Sequence, residues 1–94
     1  MQDPSRIDDP NWRPRAAEGL ETDPVADGYV LYQPDRARVH HLNRTAAVVL
    51  ALCTGRNRIA EMPELLQSAF NLASPPASET RACLERLIAE DLIV

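Results

Sequence analysis

Residues Tyr29 to Ala47 constrain the fold more than any other part of this chain. Tyr29-Val30-Leu31-Tyr32 is apolar, aromatic and β-branched, which is a strand signal. Gln33-Pro34-Asp35 follows as a turn, because proline presets φ and aspartate bonds its own backbone. Arg38-Val39-His40-His41-Leu42 reads as a second strand. Asn43 then stands where a helix N-cap belongs, ahead of a helically spaced run from Arg44 to Cys53. A hairpin whose second strand feeds straight into a helix has little freedom: the sheet must lie against that helix.

The flanking sequence extends the pattern. Gly19 to Asp23 predicts a short first strand around Leu20, and Pro24 to Gly28 a turn in which Asp27-Gly28 is the hairpin signal. Three short strands do not stand alone in water, so helices must cover one face. Ala46, Val49, Leu50 and Cys53 share one side of the first helix, and Gly55 supplies a left-handed stop. Pro63 fits the first turn of a second helix, with Leu65, Leu66 and Phe70 as its apolar side. Ser74-Pro75 opens a third helix, in which Leu84, Leu87 and Ile88 recur at helical spacing beside Cys83. Asp91 breaks that pattern, and Leu92-Ile93-Val94 is an apolar tail that should dock. The expected architecture is α+β and winged-helix-like: a three-stranded antiparallel sheet followed by a three-helix bundle, spanning residues 19–94. Residues 1–18 carry Pro4, Pro10 and Pro14 and little periodicity. They are expected to form a flexible N-terminal arm, on which Trp12 either packs against the domain or stays exposed.

Composition removes several classes of function. Ninety-four residues make one small domain. No run of about 18 apolar residues suggests a membrane span. The polar start, Met1 to Arg6, lacks the regions of a signal peptide, so a cytoplasmic location is expected. There the two cysteines, Cys53 and Cys83, stay reduced and serve as small buried hydrophobes. His40 and His41 are adjacent on a strand and point to opposite faces, so they cannot easily share one metal. The cysteines lack metal-ligand spacing. There is no glycine-rich phosphate loop and no nucleophile elbow. No catalytic residue, metal or cofactor is expected in this chain, which reads as a non-enzyme.

Charge is more informative than chemistry. The net charge of −4 hides a basic middle: residues 36–60 contain Arg36, Arg38, Arg44, Arg56 and Arg58 and no acid. Such asymmetry steers an acidic partner. A helix–turn–helix arrangement suggests nucleic acid, with Arg56 and Arg58 as contacts. The presumptive recognition helix argues against it, since Arg81 and Arg86 face Glu79, Glu85, Glu90 and Asp91. A winged-helix nucleic-acid-binding or regulatory module is the alternative reading. A third is a subunit whose edge strand pairs with a copy of itself, so monomer and homodimer both stay open.

The segments Asp27 to Tyr32, Val39 to Ala46, Leu52-Cys53-Thr54-Gly55 and Leu84 to Ile93 together resemble the PqqD-like family, the small proteins called RiPP recognition elements. The likeness covers roughly residues 18–94. Its sharpest part is the Leu42-Asn43-x-Thr45-Ala46 step from strand to helix, followed by the Leu52-Cys53-x-Gly55 helix stop. Asp91 departs from the pattern, because members often have glycine before the final Leu-Ile. The resemblance implies a peptide chaperone that binds the leader region of a ribosomally made precursor peptide and presents it to a modifying enzyme. In the pathway that names the family, that enzyme is a radical SAM protein, which would hold any iron–sulfur cluster or S-adenosylmethionine. The implied mode is strand addition at the edge of the third strand. On that basis the peptide-binding residues are expected to be Arg38, Val39, His40 and His41 on the strand, and Arg81, Leu84, Glu85 and Ile88 on the third helix, with Leu87 turned inward. Asn43 and Thr45 are assigned to helix capping.

Overall fold

A computed structural model of the chain describes residues 4–94. Strands β1 (Glu21–Val25), β2 (Gly28–Gln33) and β3 (Arg38–Asn43) form one antiparallel sheet in the order β1-β2-β3. Helices α1 (Arg44–Leu52), α2 (Met62–Phe70) and α3 (Ala77–Ala89) follow in sequence. This is the expected α+β order.

Local chemistry sets each boundary. The first strand lies two residues later than the expected one and runs through Pro24, because Val25 pairs with Gly28 and leaves only Ala26-Asp27 as the loop. Proline is tolerated there because β1 is an edge strand. Gly28 has φ 149°, and a Cβ at that position would run into the Leu42 carbonyl oxygen. Glycine is therefore what lets β2 start so close to β3. A 3-10 turn, Pro34–Arg36, joins β2 to β3, closed by Ala37 at φ 48°, whose N–H donates to Pro34 O at 3.1 Å.

The Asn43 side chain accepts from the Ala46 N–H at 2.8 Å, so the last residue of β3 is also the N-cap of α1. The third helix begins at Ala77 rather than at Ser74, since Ser74 and Pro75 each precede a proline and are biased away from helical backbone. It ends where Asp91 takes φ 56° and donates to Ile88 O at 3.0 Å. Aspartate is one of the few residues besides glycine that enters this region readily, which accounts for the departure at that position.

The core lies between the inner face of the sheet and the helices. Leu31 and Leu42 meet Val49, Met62, Leu66, Leu84 and Leu87, and Leu92 and Ile93 of the tail are fully buried with them. Cys53 is a core residue; its thiol donates to Val49 O at 3.2 Å, and burial pushes its pKa up to about 12.

A free arm is not what the described residues show. Residues 1–3 of that expected arm lie outside the description, but Ile7, Trp12 and Pro14 are buried. The backbone of residues 12–17 is bonded along its length. Arg15 and Val94 exchange two bonds, at 2.9 and 2.7 Å, and Ala17 N–H donates to Leu92 O at 2.8 Å. On the other side Ala16 N–H donates to Cys53 O at 2.8 Å, Gly55 N–H to Pro14 O at 2.9 Å and Ile59 N–H to Trp12 O at 2.9 Å. The segment thus fills the space between the α1–α2 loop and the docked tail. Irregular bridging of this kind leaves no periodic trace in a sequence, whereas proline content does, and the prolines pointed the wrong way.

Candidate functional site

The sheet has two edges, and they differ in chemistry. On β1 all five residues are exposed, and they include Glu21, Asp23 and Pro24. Proline has no N–H to give to a neighbouring strand and is a common guard of an open edge. On β3 there is neither proline nor acid. Arg38, Val39 and His41 are exposed, Val39 to 61%. Arg38, with Arg44 at the start of α1, carries no ion pair among the described residues, so this edge is basic and open.

Alternation along β3 sorts its side chains. Val39 and His41 lie on the outer face, opposite Tyr32 and Val30 in the β2 register. Tyr32 and Val39 form an exposed apolar pair there. His40 and Leu42 turn inward and are buried. The expectation that His40 belongs to an open binding surface is therefore corrected. Its Nδ1 lies 2.9 Å from Glu90 Oε2, and its Nε2 lies 3.1 Å from Gln33 Oε1. Gln33 Nε2 in turn donates to Asp91 O at 3.4 Å. A buried imidazole must find partners, and here they tie β3, β2 and the end of α3 together.

The face of α3 that meets β3 is marked by Arg86. Its Nη2 donates to the carbonyl oxygen of His41 at 2.9 Å, and its Nε lies 3.6 Å from Glu90 Oε1. Helical spacing places Glu79, Cys83, Arg86 and Glu90 on one strip. Cys83 is half-buried, and its thiol is pushed up by that burial and by Glu79, with Arg86 pulling the other way.

The four α3 residues expected to line a groove lie elsewhere. Leu84 and Ile88 are buried in the core. Arg81 pairs with Asp8 of the N-terminal segment at 2.8 Å and with Glu85 at 3.4 Å. Arg81 and Leu84 share a hollow of about 290 Å³ with Ile7, Asp8 and Pro10. The structure therefore brings Arg38, Val39 and His41 together with Arg86 and Glu90, and leaves Arg81, Leu84, Glu85 and Ile88 on the other flank or inside. An apolar stripe has two flanks, and choosing between them needs the position of β3. The i, i+4 pair Arg86–Glu90 was visible in the sequence, but nothing there said which flank it marked.

A larger apolar hollow, of about 620 Å³, lies between the start of the sheet and α1, lined by Leu20, Tyr29, Leu42, Val48 and Ala51 among others, with no residue of α3. Among the described residues, no group of three or more His, Cys, Asp or Glu side chains converges as a metal site, and no helix is long and apolar enough to cross a membrane.

Comparison with known proteins adds to this geometry. The family model described as Coenzyme PQQ synthesis protein D (PqqD) matches residues 28–93. A similar solved structure is the solution NMR structure of the PqqD truncation of Methylobacterium extorquens PqqCD. It is described as representing a functional and stand-alone ribosomally synthesized and post-translational modified (RiPP) recognition element. The likeness has a TM-score of 0.65 at 25% identity and covers 86% of this chain and 87% of that one. No curated protein matches the sequence.

Proposed function

The chain belongs to the PqqD family, and on that premise we propose that it binds the leader region of a ribosomally synthesised precursor peptide as a fourth, antiparallel strand on β3. It presents the peptide to a modifying enzyme and carries out no chemistry itself. One observation supports this most: the asymmetry of the two sheet edges. β1 is guarded by Pro24 and carries Glu21 and Asp23, whereas β3 offers a basic backbone edge without proline or acid.

Strand addition divides the work between backbone and side chains. Main-chain bonds to β3 supply affinity without regard to sequence. The side chains of the added strand alternate, one set continuing the outer face beside Val39, Tyr32 and His41, the other turning toward the Glu79–Cys83–Arg86–Glu90 strip of α3. Arg38, Val39 and His41 are the strand residues in this reading, and Arg86 replaces Arg81 as the helix residue nearest the peptide. The outward set stays open to solvent, and to an enzyme. The basic edge draws an acidic leader, and the exposed Tyr32–Val39 pair gives it an apolar anchor.

The test is proline scanning of a synthetic leader peptide that binds the native chain, with affinity measured by calorimetry on the full chain. Proline removes an N–H from the ladder. Proline at alternate central positions is expected to abolish binding, while alanine at the same positions does not. Affinity untouched by proline anywhere in the leader rules out strand addition.

A further inference from the structure

We propose that Arg86 reads an acidic side chain of the bound peptide and is released for that task by the peptide's own backbone; this rests on the strand-addition reading above. Without peptide, the guanidinium is held at two points. Nη2 donates to His41 O at 2.9 Å, and Nε lies 3.6 Å from Glu90 Oε1. The second contact is the weaker, because 3.6 Å is beyond hydrogen-bond distance.

Among the described residues, β3 pairs on one side only, with β2. A carbonyl of β3 that is bonded from α3 is one that an added strand would address. Backbone groups alternate in direction along a strand, so Val39 and His41 present theirs to the same side. A peptide N–H arriving at His41 O therefore takes the place of the Arg86 donor. The carbonyl remains satisfied, so the exchange leaves no acceptor unpaired. Arg86 is the group that loses a partner.

Glu90 does not fully replace it, lying 3.6 Å from Arg86 Nε. The freed guanidinium sits on the α3 strip, toward which every second side chain of the added strand turns. Its planar fork matches a carboxylate in two parallel bonds. Arg38 and Arg44 add positive charge without ion pairs of their own among the described residues. Glu79 lies on the same strip, seven residues and roughly 10 Å along the axis from Arg86. It disfavours a second acid at that end and so fixes the acid opposite Arg86.

The experiment is a double-mutant cycle by calorimetry, pairing the full chain or its Arg86→Gln variant with a synthetic leader peptide shown to bind the native chain. Each leader Asp or Glu is replaced in turn by Asn or Gln. One position is expected to lose about tenfold in affinity on the native chain and less than about twofold on Arg86→Gln. The proposal is overturned if no acidic position matters on the native chain, a result that needs no variant to fold. It is equally overturned if the loss is the same on both chains. Proline substitutions in the same peptide separate the two claims. Binding abolished by proline without Arg86 coupling removes only the role of Arg86; binding indifferent to proline removes strand addition itself.

Discussion

Arg86 Nη2 donates to the backbone oxygen of His41 across 2.9 Å, so a side chain of α3 already occupies the backbone of β3. This one bond identifies which flank of the third helix faces the edge strand. It also separates residues that hold the domain together from residues available to a ligand, and the predictions follow that division.

Val39 is 61% exposed beside Tyr32 and has no part in the core. Val39→Asp is expected to melt within a few degrees of the native chain, as exposed substitutions usually do, yet to weaken leader binding by about tenfold through loss of the apolar anchor. Thermal unfolding followed by calorimetry with the leader checks both halves. Unchanged affinity places the peptide away from the outer face of β3.

Asn43 should show the opposite behaviour. Its side chain caps α1 by accepting from Ala46 N–H at 2.8 Å. Asn43→Ala is expected to cost about 1 kcal/mol of stability in urea unfolding, while the folded variant binds the leader as before. A loss of affinity in excess of the unfolded fraction makes Asn43 a ligand contact.

The N-terminal segment belongs to the folded domain. Trp12 is 7% exposed, with the Arg6 guanidinium 5.1 Å from its ring centroid. Trp12→Ala is expected to destabilise by about 3–5 kcal/mol, a large part of the ~5–15 kcal/mol typical of a domain. Urea denaturation measures it. A midpoint unmoved by the substitution means that the segment contributes nothing to folding.

Cys53 carries a pH signature. Its thiol pKa rises from 9.0 to about 12 on burial. The unfolded chain therefore releases this proton first, and folding stability falls as pH climbs above 9 toward 12. By pH 10.5 the loss is about 2 kcal/mol. A Cys53→Ala chain starts less stable but lacks this component, so the difference between the two unfolding curves should shrink steadily above pH 9. A difference independent of pH contradicts the burial of the thiol. Alkylation gives a second readout: half-buried Cys83 reacts well before Cys53.

How much of this was legible beforehand depends on the kind of signal. The hairpin, the Asn43 cap and the three helices announced themselves by alternation, helical spacing and turn residues, all local properties. The end of the third helix at Asp91 was legible as a break in its spacing. His40 was readable as inward from its alternation with Leu42, yet its polarity argued for a surface role. Only the convergence of Gln33 and Glu90, from two other elements, explains why an imidazole sits there. The α3 flank was not legible, because Leu84, Leu87 and Ile88 define an inward side without saying which neighbour lies to its left or right. The docking of residues 12–17 was likewise hidden, since it rests on single bridges to Cys53, Gly55, Leu92 and Val94 that are distant in sequence.

The most direct measurement is a set of cross-strand nuclear Overhauser contacts between an isotope-labelled leader and this protein. Strand addition predicts backbone contacts in antiparallel register between the leader and Arg38 to Leu42, with the His41 and Val39 amides perturbed together and the Arg86 side chain shifted. Contacts that fall on Glu21 to Val25, or on the helices with no backbone contact to β3, would contradict the account.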